Sequence, residues 1–424
     1  FSFGVTNDGD LRPMEIINLS LTPFQPLGMT PAALSLDADG KHLYVACSDI
    51  NAIAVVDITT ARSHVLGFVP TGWYPTGVSA LSDGSLAIIN GRGRGSDPNS
   101  RGPNPQRGTV QFVPGVNPDQ LEEFTKTVIA NSPYRSDEQR TRYSGGNVEV
   151  FAGSPGHPSP IQHVIYIIKE NRTYDQVLGD MPEGNGDKSL TIFGENVTPN
   201  QHKLAREFVL FDNFYVNANT SAEGHNWASA AIAPDYTVKL SPNSDAKRRS
   251  AYDYEGGEPA NTPPAGYIWN NALSAGLSLR TYGIWSTNVP LEKVENGRQI
   301  ASVKDPALRP YADLNFRGFD LNYSDIDRSK EFIKEWSEFS QKGQAPQLVV
   351  MRLGNDYTFG NTPGKLSPVA LIAQNDQAVG MLVQAISQSP FWSSTSIFIV
   401  EAAAAGGADH VDSHRSTAYV ISPY

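Results

Sequence analysis

The stretch His163-Val-Ile-Tyr-Ile-Ile-Lys-Glu-Asn-Arg-Thr-Tyr-Asp175 runs a block of apolar residues straight into a lysine, a glutamate and an asparagine. An unbroken apolar run of strand length reads as a strand covered on both faces, the kind from which parallel sheets are built. The same texture recurs at 208–211, 279–284, 347–351 and 396–400, with helical stretches at 201–207, 267–275, 326–341 and 368–387. That alternation predicts an α/β domain over residues 160–424 with a mostly parallel central sheet. Functional groups in such sheets lie beyond the carboxyl ends of the strands, so the residues that follow each run are the ones to read.

After the first run, Glu170 and Asn171 either offer oxygen ligands to a metal or form an ordinary exposed turn. Beyond the second run comes Ser221-Ala-Glu-Gly-His-Asn-Trp227 at the start of a helix. Ser221 there is either a nucleophile at an anion-binding helix end or a plain N-cap. Asn355 and Asp356 follow the fourth run. Glu401 closes the fifth and leads through Ala402 to Ala405 into Asp409-His-Val-Asp-Ser-His-Arg415. His410 and His414 stand four apart, with Asp409 before the first and Asp412 between them, a composition that binds metal or phosphate.

The first 150 residues have a different texture. Pro31-Ala-Ala-Leu-Ser-Leu-Asp-Ala-Asp-Gly40 and Pro75-Thr-Gly-Val-Ser-Ala-Leu-Ser-Asp-Gly84 each read as a strand ending in an Asp-Gly turn, 44 residues apart. That period falls within the roughly 40–45 residues of a four-stranded propeller blade. Residues 1–5 and 14–19 read as the last strands of an earlier blade and 108–113 as a strand of a later one. Because a propeller closes with about 4–8 blades, further blades are expected upstream. Residues 120–130 read as an amphipathic helix, and 144–160 as a linker. The arginine-rich segment 91–107 is either an anion-binding loop or a long inter-strand loop whose arginines face solvent or the neighbouring domain.

Composition narrows the function classes. With 33 Lys and Arg against 44 Asp and Glu, the net charge of −11 weighs against nucleic acid and against polybasic membrane attachment. No apolar run is long enough for a transmembrane helix. The single cysteine, Cys47, lies in an apolar run and reads as a buried, inert thiol.

The N-terminal repeat resembles the YVTN-type β-propeller repeat through Pro31, Asp39-Gly40, Leu43-Tyr44-Val45 and Val55-Val56-Asp57. Residues 160–424 resemble the bacterial phosphoesterase family that includes phosphatidylcholine-type phospholipases C and an acid phosphatase, within the alkaline phosphatase superfamily. Three segments carry that likeness: 163–175, 221–227 and 409–415. The expected fold is therefore multidomain, a partial all-β propeller over 1–150 and an alkaline-phosphatase-like α/β domain over 160–424. The resemblance implies a phosphoric ester hydrolase using one or two divalent ions, zinc, manganese or calcium. Glu170, Asn171, Ser221 and Glu401 would hold one ion, and Ser221 would attack phosphorus. Asp356, His410 and His414 would hold a second, while His225, Asn226, Asn355 and Asp409 would contact substrate. The substrate would be a phosphate mono- or diester, a small molecule or a phospholipid head group. The address would be secreted, periplasmic or cell-surface, with the propeller as a platform for a protein partner, and the family continues beyond Tyr424.

Two positions depart from that pattern. Ala402 to Ala405 stand where the family carries one or two aspartates, and Tyr357 stands where it carries histidine. Alanine offers a metal nothing. A second expectation therefore stands beside the first: a catalytically degenerate surface or periplasmic protein that uses both domains to bind a partner.

Overall fold

The computed structural model describes residues 1–21, 29–93, 107–132, 159–218, 220–245, 258–404 and 407–424. Most of the arginine-rich segment, most of the linker, Ala405 and residues 246–257 lie outside the described residues. The chain divides into two compact units, one of residues 1–97 and 106–143, the other of 144–424 with 98–105.

In the first unit, β1 (Ser2–Val5) and β2 (Leu11–Glu15) form a separate antiparallel pair. Strands β3 (Pro31–Leu36), β4 (His42–Cys47), β5 (Ala52–Asp57) and β6 (His64–Pro70) make a four-stranded sheet. A three-stranded sheet follows, of β7 (Trp73–Ala80), β8 (Leu86–Gly93) and β9 (Thr109–Val113). Gly40 and Gly84 take φ of +65° and +82° in the two Asp-Gly turns, a conformation glycine adopts without steric cost. The sheets stack through Ala46, Ile53, Val55 and Val69 of the first against Leu86, Ile88 and Val113 of the second.

Helix α1 (Pro118–Asn131) opens with a capping box between Asn117 and Gln120 and runs beside edge strand β6. There Thr125 Oγ1 accepts the Phe68 amide at 2.9 Å, occupying a donor that an edge strand would leave open. On the other face of the first sheet Cys47 is buried with Ile17, Leu19, Leu21 and Val128, and burial pushes its thiol up to about 12. The N-terminal strands pair with each other, the second at Leu11–Glu15 instead of 14–19, and 108–113 supplies the third strand of the second sheet. The described residues show stacked sheets of one repeat and no closed ring.

The second unit contains β10 (His163–Asn171), α2 (Tyr174–Leu178), α3 (Pro199–Glu207), α4 (Ser221–Ala230), α5 (Asp235–Asp245) and α6 (Ile268–Ser274). Strand β11 (Leu279–Tyr282), the hairpin β12 (Ser286–Asn288) and β13 (Ile300–Val303), α7 (Asp325–Lys342) and β14 (Leu348–Arg352) come next. Helix α8 (Pro368–Ser387), β15 (Thr395–Ala403) and β16 (Ala418–Ile421) complete it. The sheet order is β11-β14-β10-β15-β16, parallel except for β16, so the sheet is mixed.

Successive side chains on a strand point to opposite faces, and this decides the two cores. Ile165, Ile167, Val349, Met351, Ile397 and Ile399 face α7 and α8 through Phe332, Trp336 and Leu382. Ile168, Leu348, Val350 and Ala402 face the other way, against Trp269 and Trp285. Residues 208–211, read as a strand, form none: Phe208 ends α3, and Phe208 and Leu210 pack on the core from one side only.

Candidate active site

The alternation that builds the cores continues past the last apolar residue of β10 and distributes its charges. Register pairs Lys169 with Glu401 and Asn171 with Ala403 on β15, and Ile168 with Arg352 on β14. Paired residues on parallel strands share a face, so Lys169 and Glu401 fall on the face of Ile167. Glu170 falls on the face of Ile168 and Arg352.

On that second face Glu170 is buried, and its Oε1 accepts from Arg352 Nε at 2.9 Å and Nη2 at 2.6 Å. His225 Nε2 lies 3.8 Å from the same oxygen. His225 Nδ1 meets the Ser221 carbonyl at 2.8 Å, and a carbonyl only accepts, so Nδ1 carries the proton and Nε2 the lone pair. Burial, then the Arg352 charge, holds the imidazole well below its ordinary pKa, and the ring is neutral.

On the first face Lys169 Nζ contacts Glu401 Oε1 at 2.8 Å, Gln201 Oε1 at 3.1 Å and Asp356 Oδ2 at 3.3 Å. Burial pulls the ammonium down, but Glu401 and Asp356 outweigh it and the lysine stays charged. Thr417 Oγ1 also donates to Glu401 Oε1, at 3.0 Å. Asp356, in the turn after β14, is fixed to the strand end: its carboxylate accepts the Glu170 backbone amide at 3.2 and 3.3 Å, and Arg172 donates to its carbonyl. Burial, then Glu401, pushes the Asp356 carboxyl well above its ordinary range. Glu170 Oε2 and Glu401 Oε2 are buried and meet no donor among the described residues. Three carboxylates thus gather around two side-chain cations, with acceptor capacity left over.

Helix α4 brings Ser221 to this place. Its N-cap is Thr220, extended and without a side-chain capping bond; Ser221 is the first helical residue and half-buried. Gly224 allows the approach, because a Cβ there would come within 1.9 Å of the Ala402 carbonyl. The serine therefore rides on a helix pressed against the end of β15, one turn before His225.

The remaining expected residues lie elsewhere. Asp409 pairs with Arg415, whose Nη2 also reaches Asp175 at 2.9 Å, while His410 Nδ1 meets Asp175 at 2.7 Å. Asp175, Asp409 and His410 hold ligand-type atoms within 4.8 Å of one another. The fully buried Arg415 guanidinium already supplies the positive charge among them, and it also donates to the Asn185 and Asp212 carbonyls. The group fastens the segment after β15 onto α2. His414 meets Asp412 at 2.8 Å. Asn355 accepts the Asp325 amide and donates to the Tyr323 carbonyl, and Asn226 donates to the Ala222 carbonyl and to Asn261. Asn171 ends β10 half-buried beside Ala403, and Tyr357 is exposed against the Phe319 ring.

The structure thus brings Glu170 and His225 together on one face and Asp356 and Glu401 together around Lys169 on the other, with Ser221 on the same helix as His225. It does not bring Asp409, His410, His414, Asn355 or Asn226 into either group. Lys169, Arg352 and Gln201 were missed by the sequence reading. A lysine and an arginine each closing an otherwise apolar strand were the available signal.

The chain matches no protein-family model, and no curated protein matches it. Among solved structures it is similar to a protein of the alkaline phosphatase superfamily from Vibrio parahaemolyticus, 13% identical over 63% of this chain and 61% of that one, with a TM-score of 0.37. It is also similar to human ectonucleotide pyrophosphatase / phosphodiesterase 5, 18% identical over 57% and 56%, with a TM-score of 0.30. A protein concerned with glycosaminoglycan metabolism in Bacteroides thetaiotaomicron is 13% identical over 62% and 67%, with a TM-score of 0.39. The chain spans less than two thirds of the length of the first two.

Proposed function

We propose that this chain is a metal-dependent hydrolase of phosphoric esters that uses Ser221 as its nucleophile. One observation carries the reading. Near the ends of neighbouring parallel strands, buried Glu170 lies beside the neutral imidazole of His225 on one face and buried Glu401 and Asp356 lie around Lys169 on the other, each glutamate with one oxygen that meets no donor among the described residues, and the adjoining helix opens on serine. Oxygen and nitrogen donors of these types are those that zinc or manganese takes before calcium, while among the described residues it is Asp175, Asp409 and His410 that hold three ligand-type atoms within 4.8 Å of one another. Glu170 and His225, whose Nε2 lies 3.8 Å from the Glu170 Oε1, would be the ligands that hold the divalent ion. The ion would supply charge stabilisation and a lowered hydroxyl pKa.

The chain's own residues do the rest. Ser221 Oγ forms the bond to phosphorus as the ester oxygen leaves, and water later releases the phosphoserine. The α4 amides face the phosphoryl oxygens, since a helix N-terminus favours negative charge. Arg352 keeps Glu170 ionised and aimed. The substrate class is a phosphate mono- or diester, including phospholipid head groups, and the site of action is outside the cytoplasm, both by the motif resemblance of residues 163–175 and 221–227.

A second reading, a degenerate site serving as a binding surface, is favoured by Ala402 and Ala403, which place methyl groups beside Glu170 and Asn171. The deciding experiment is hydrolysis of an aryl phosphate monoester and diester by the whole chain, with chelator, with added zinc or manganese, and with Ser221→Ala. Chelator-sensitive turnover lost in Ser221→Ala establishes the hydrolase. No turnover with any divalent ion moves the conclusion to the degenerate site.

A further inference from the structure

A row of metal-type ligands crosses the first sheet of the first unit. Strand register sets His42 of β4 opposite Asp57 of β5, and the same Asp57 opposite His64 of β6. Directly opposed residues of antiparallel strands share a face, with Cβ atoms about 4.5–5.5 Å apart. The three side chains therefore stand side by side across three strands: imidazole, carboxylate, imidazole. Along β5 they share the face of Val55 and Ile53, which are buried. At the end of the strands, where the row lies, His42 and Asp57 are half-buried and His64 is exposed, so an ion can reach them from water.

The hydrogen bonds already made leave ligand atoms to spare. Thr59 donates to Asp57 Oδ1 from its amide at 2.8 Å and from its hydroxyl at 2.7 Å, which fixes the carboxylate. The other oxygen, Oδ2, lies 3.5 Å from His64 Nε2. Across the row, His42 Nδ1 meets Asp37 Oδ2 at 2.7 Å. A carboxylate only accepts, so in the neutral ring Nδ1 carries the proton and Nε2 the lone pair. Asp37 is itself held by the Lys41 and His42 amides, at 2.7 and 3.1 Å. Metal-bound histidines characteristically donate their second ring nitrogen to a carboxylate in this way, which sets the tautomer and makes the ligand more basic. The contrast with Asp175 and Asp409 is direct. There Arg415 supplies the positive charge, whereas among the described residues no lysine or arginine pairs with Asp37 or Asp57.

We propose that His42, Asp57 and His64 bind a divalent transition metal, zinc in the first place, with Asp37 positioning His42 and a fourth coordination position open to water. Two imidazoles and one carboxylate suit zinc and its neighbours, while magnesium and calcium take oxygen ligands. A short carboxylate between two longer imidazoles lets all three reach one point above Asp57. Closing the rings around the ion turns side-chain torsions and leaves the strand pairing as it is. The bound ion ties β4, β5 and β6 together. The site belongs to the first unit alone and is independent of any hydrolase activity.

The test is calorimetric titration of the chelator-treated whole chain with zinc, beside a double variant carrying His42→Asn and His64→Asn. The parent should take up one equivalent more than the variant. Any ion held by the second unit is common to both and cancels. The Asp37→Asn chain should keep that equivalent and bind it about 10–100-fold more weakly. Equal uptake and equal affinity in parent and double variant would overturn the site, and unchanged affinity in Asp37→Asn would overturn the role of Asp37. A second measurement needs no altered sheet: the ring Cε1 proton resonances of His42 and His64 in the parent, assigned through the single variants. Both should shift with the same equivalent of zinc and neither with calcium. Resonances that stay in place, or that respond one by one only to a large excess of zinc, are those of separate surface histidines and would overturn the proposal.

Discussion

Glu170 and Glu401 end neighbouring parallel strands and point to opposite faces of the sheet, the first held by Arg352 and the second by Lys169. Their carboxylates answer to different cations, and Asp356 joins Lys169 while also accepting the backbone amide of Glu170. Lys169 is consequently the hinge of the charge balance. Lys169→Met would leave Glu401 and Asp356 buried without their cation, at a cost of about 3–5 kcal/mol. Urea unfolding should show that loss, and a shift under about 1 kcal/mol would mean the pair contributes nothing.

Ala402 shares the face of Glu170, so a carboxylate there would join the donor set. Without a cation Ala402→Asp should destabilise the fold by about 3 kcal/mol, as a buried unpaired charge does. Added zinc or manganese should restore the melting midpoint of the variant more than that of the parent. A midpoint indifferent to metal in both proteins counts against a cation at this position.

Gly224 packs its backbone against the Ala402 carbonyl, and nothing larger fits. Gly224→Ala must push α4 away from β15, costing about 3 kcal/mol or more by overpacking. Ser221 would move with the helix. Thermal unfolding checks the first effect, and aryl phosphate turnover at a temperature where the variant is folded checks the second.

Acid should weaken the fold partly through His225. Its pKa is lowered in the folded protein, chiefly by burial and then by Arg352, while the unfolded residue titrates near about 6.5. Below that value the unfolded chain binds the extra proton, so this contribution is present above about 6.5 and is lost as the pH falls toward the folded pKa. Asp356 acts in the opposite sense: its raised pKa gives stability at low pH that is lost as the pH climbs through the folded value. Comparing His225→Asn with the parent isolates the first effect. Unfolding free energy should fall less steeply from pH 7 to pH 5 in the variant, and identical slopes would refute the assignment.

Arg415 is fully buried between Asp175 and Asp409. Arg415→Met leaves both acids without their cation and should cost about 3–5 kcal/mol. The loss should not be recovered by added metal. Full recovery by zinc or manganese would show that Asp175, Asp409 and His410 prefer an ion to the arginine.

Much of the second unit was readable because β10, β14 and β15 are apolar on both faces and α7 and α8 are long. The misread segment, 208–211, is as apolar as a strand but is covered on one side only, which composition does not reveal. Within the site, Glu170 and Asp356 were legible as acids at strand ends. Which face each acid takes depends on register, and sequence spacing alone placed Glu401 with Glu170. Asp409 and His410 looked like ligands because the arginine five or six residues on was not recognised as their cation. In the first unit the Asp-Gly turns announced the repeat, whereas the pairing of β1 with β2 followed from contacts that no motif marks.

Lys169 and Glu170 also set an order of events during synthesis. Lys169 lies 232 residues ahead of Glu401, and Glu170 lies 182 ahead of Arg352. At roughly 5–20 residues per second the earlier member waits about ten to fifty seconds for its counter-ion. Throughout that interval the central strand of the sheet carries a lysine and a glutamate that cannot be buried at low cost. Premature pairing of its apolar face with the wrong strand is penalised at that end, and the sheet can close only once its last parallel strand has left the ribosome.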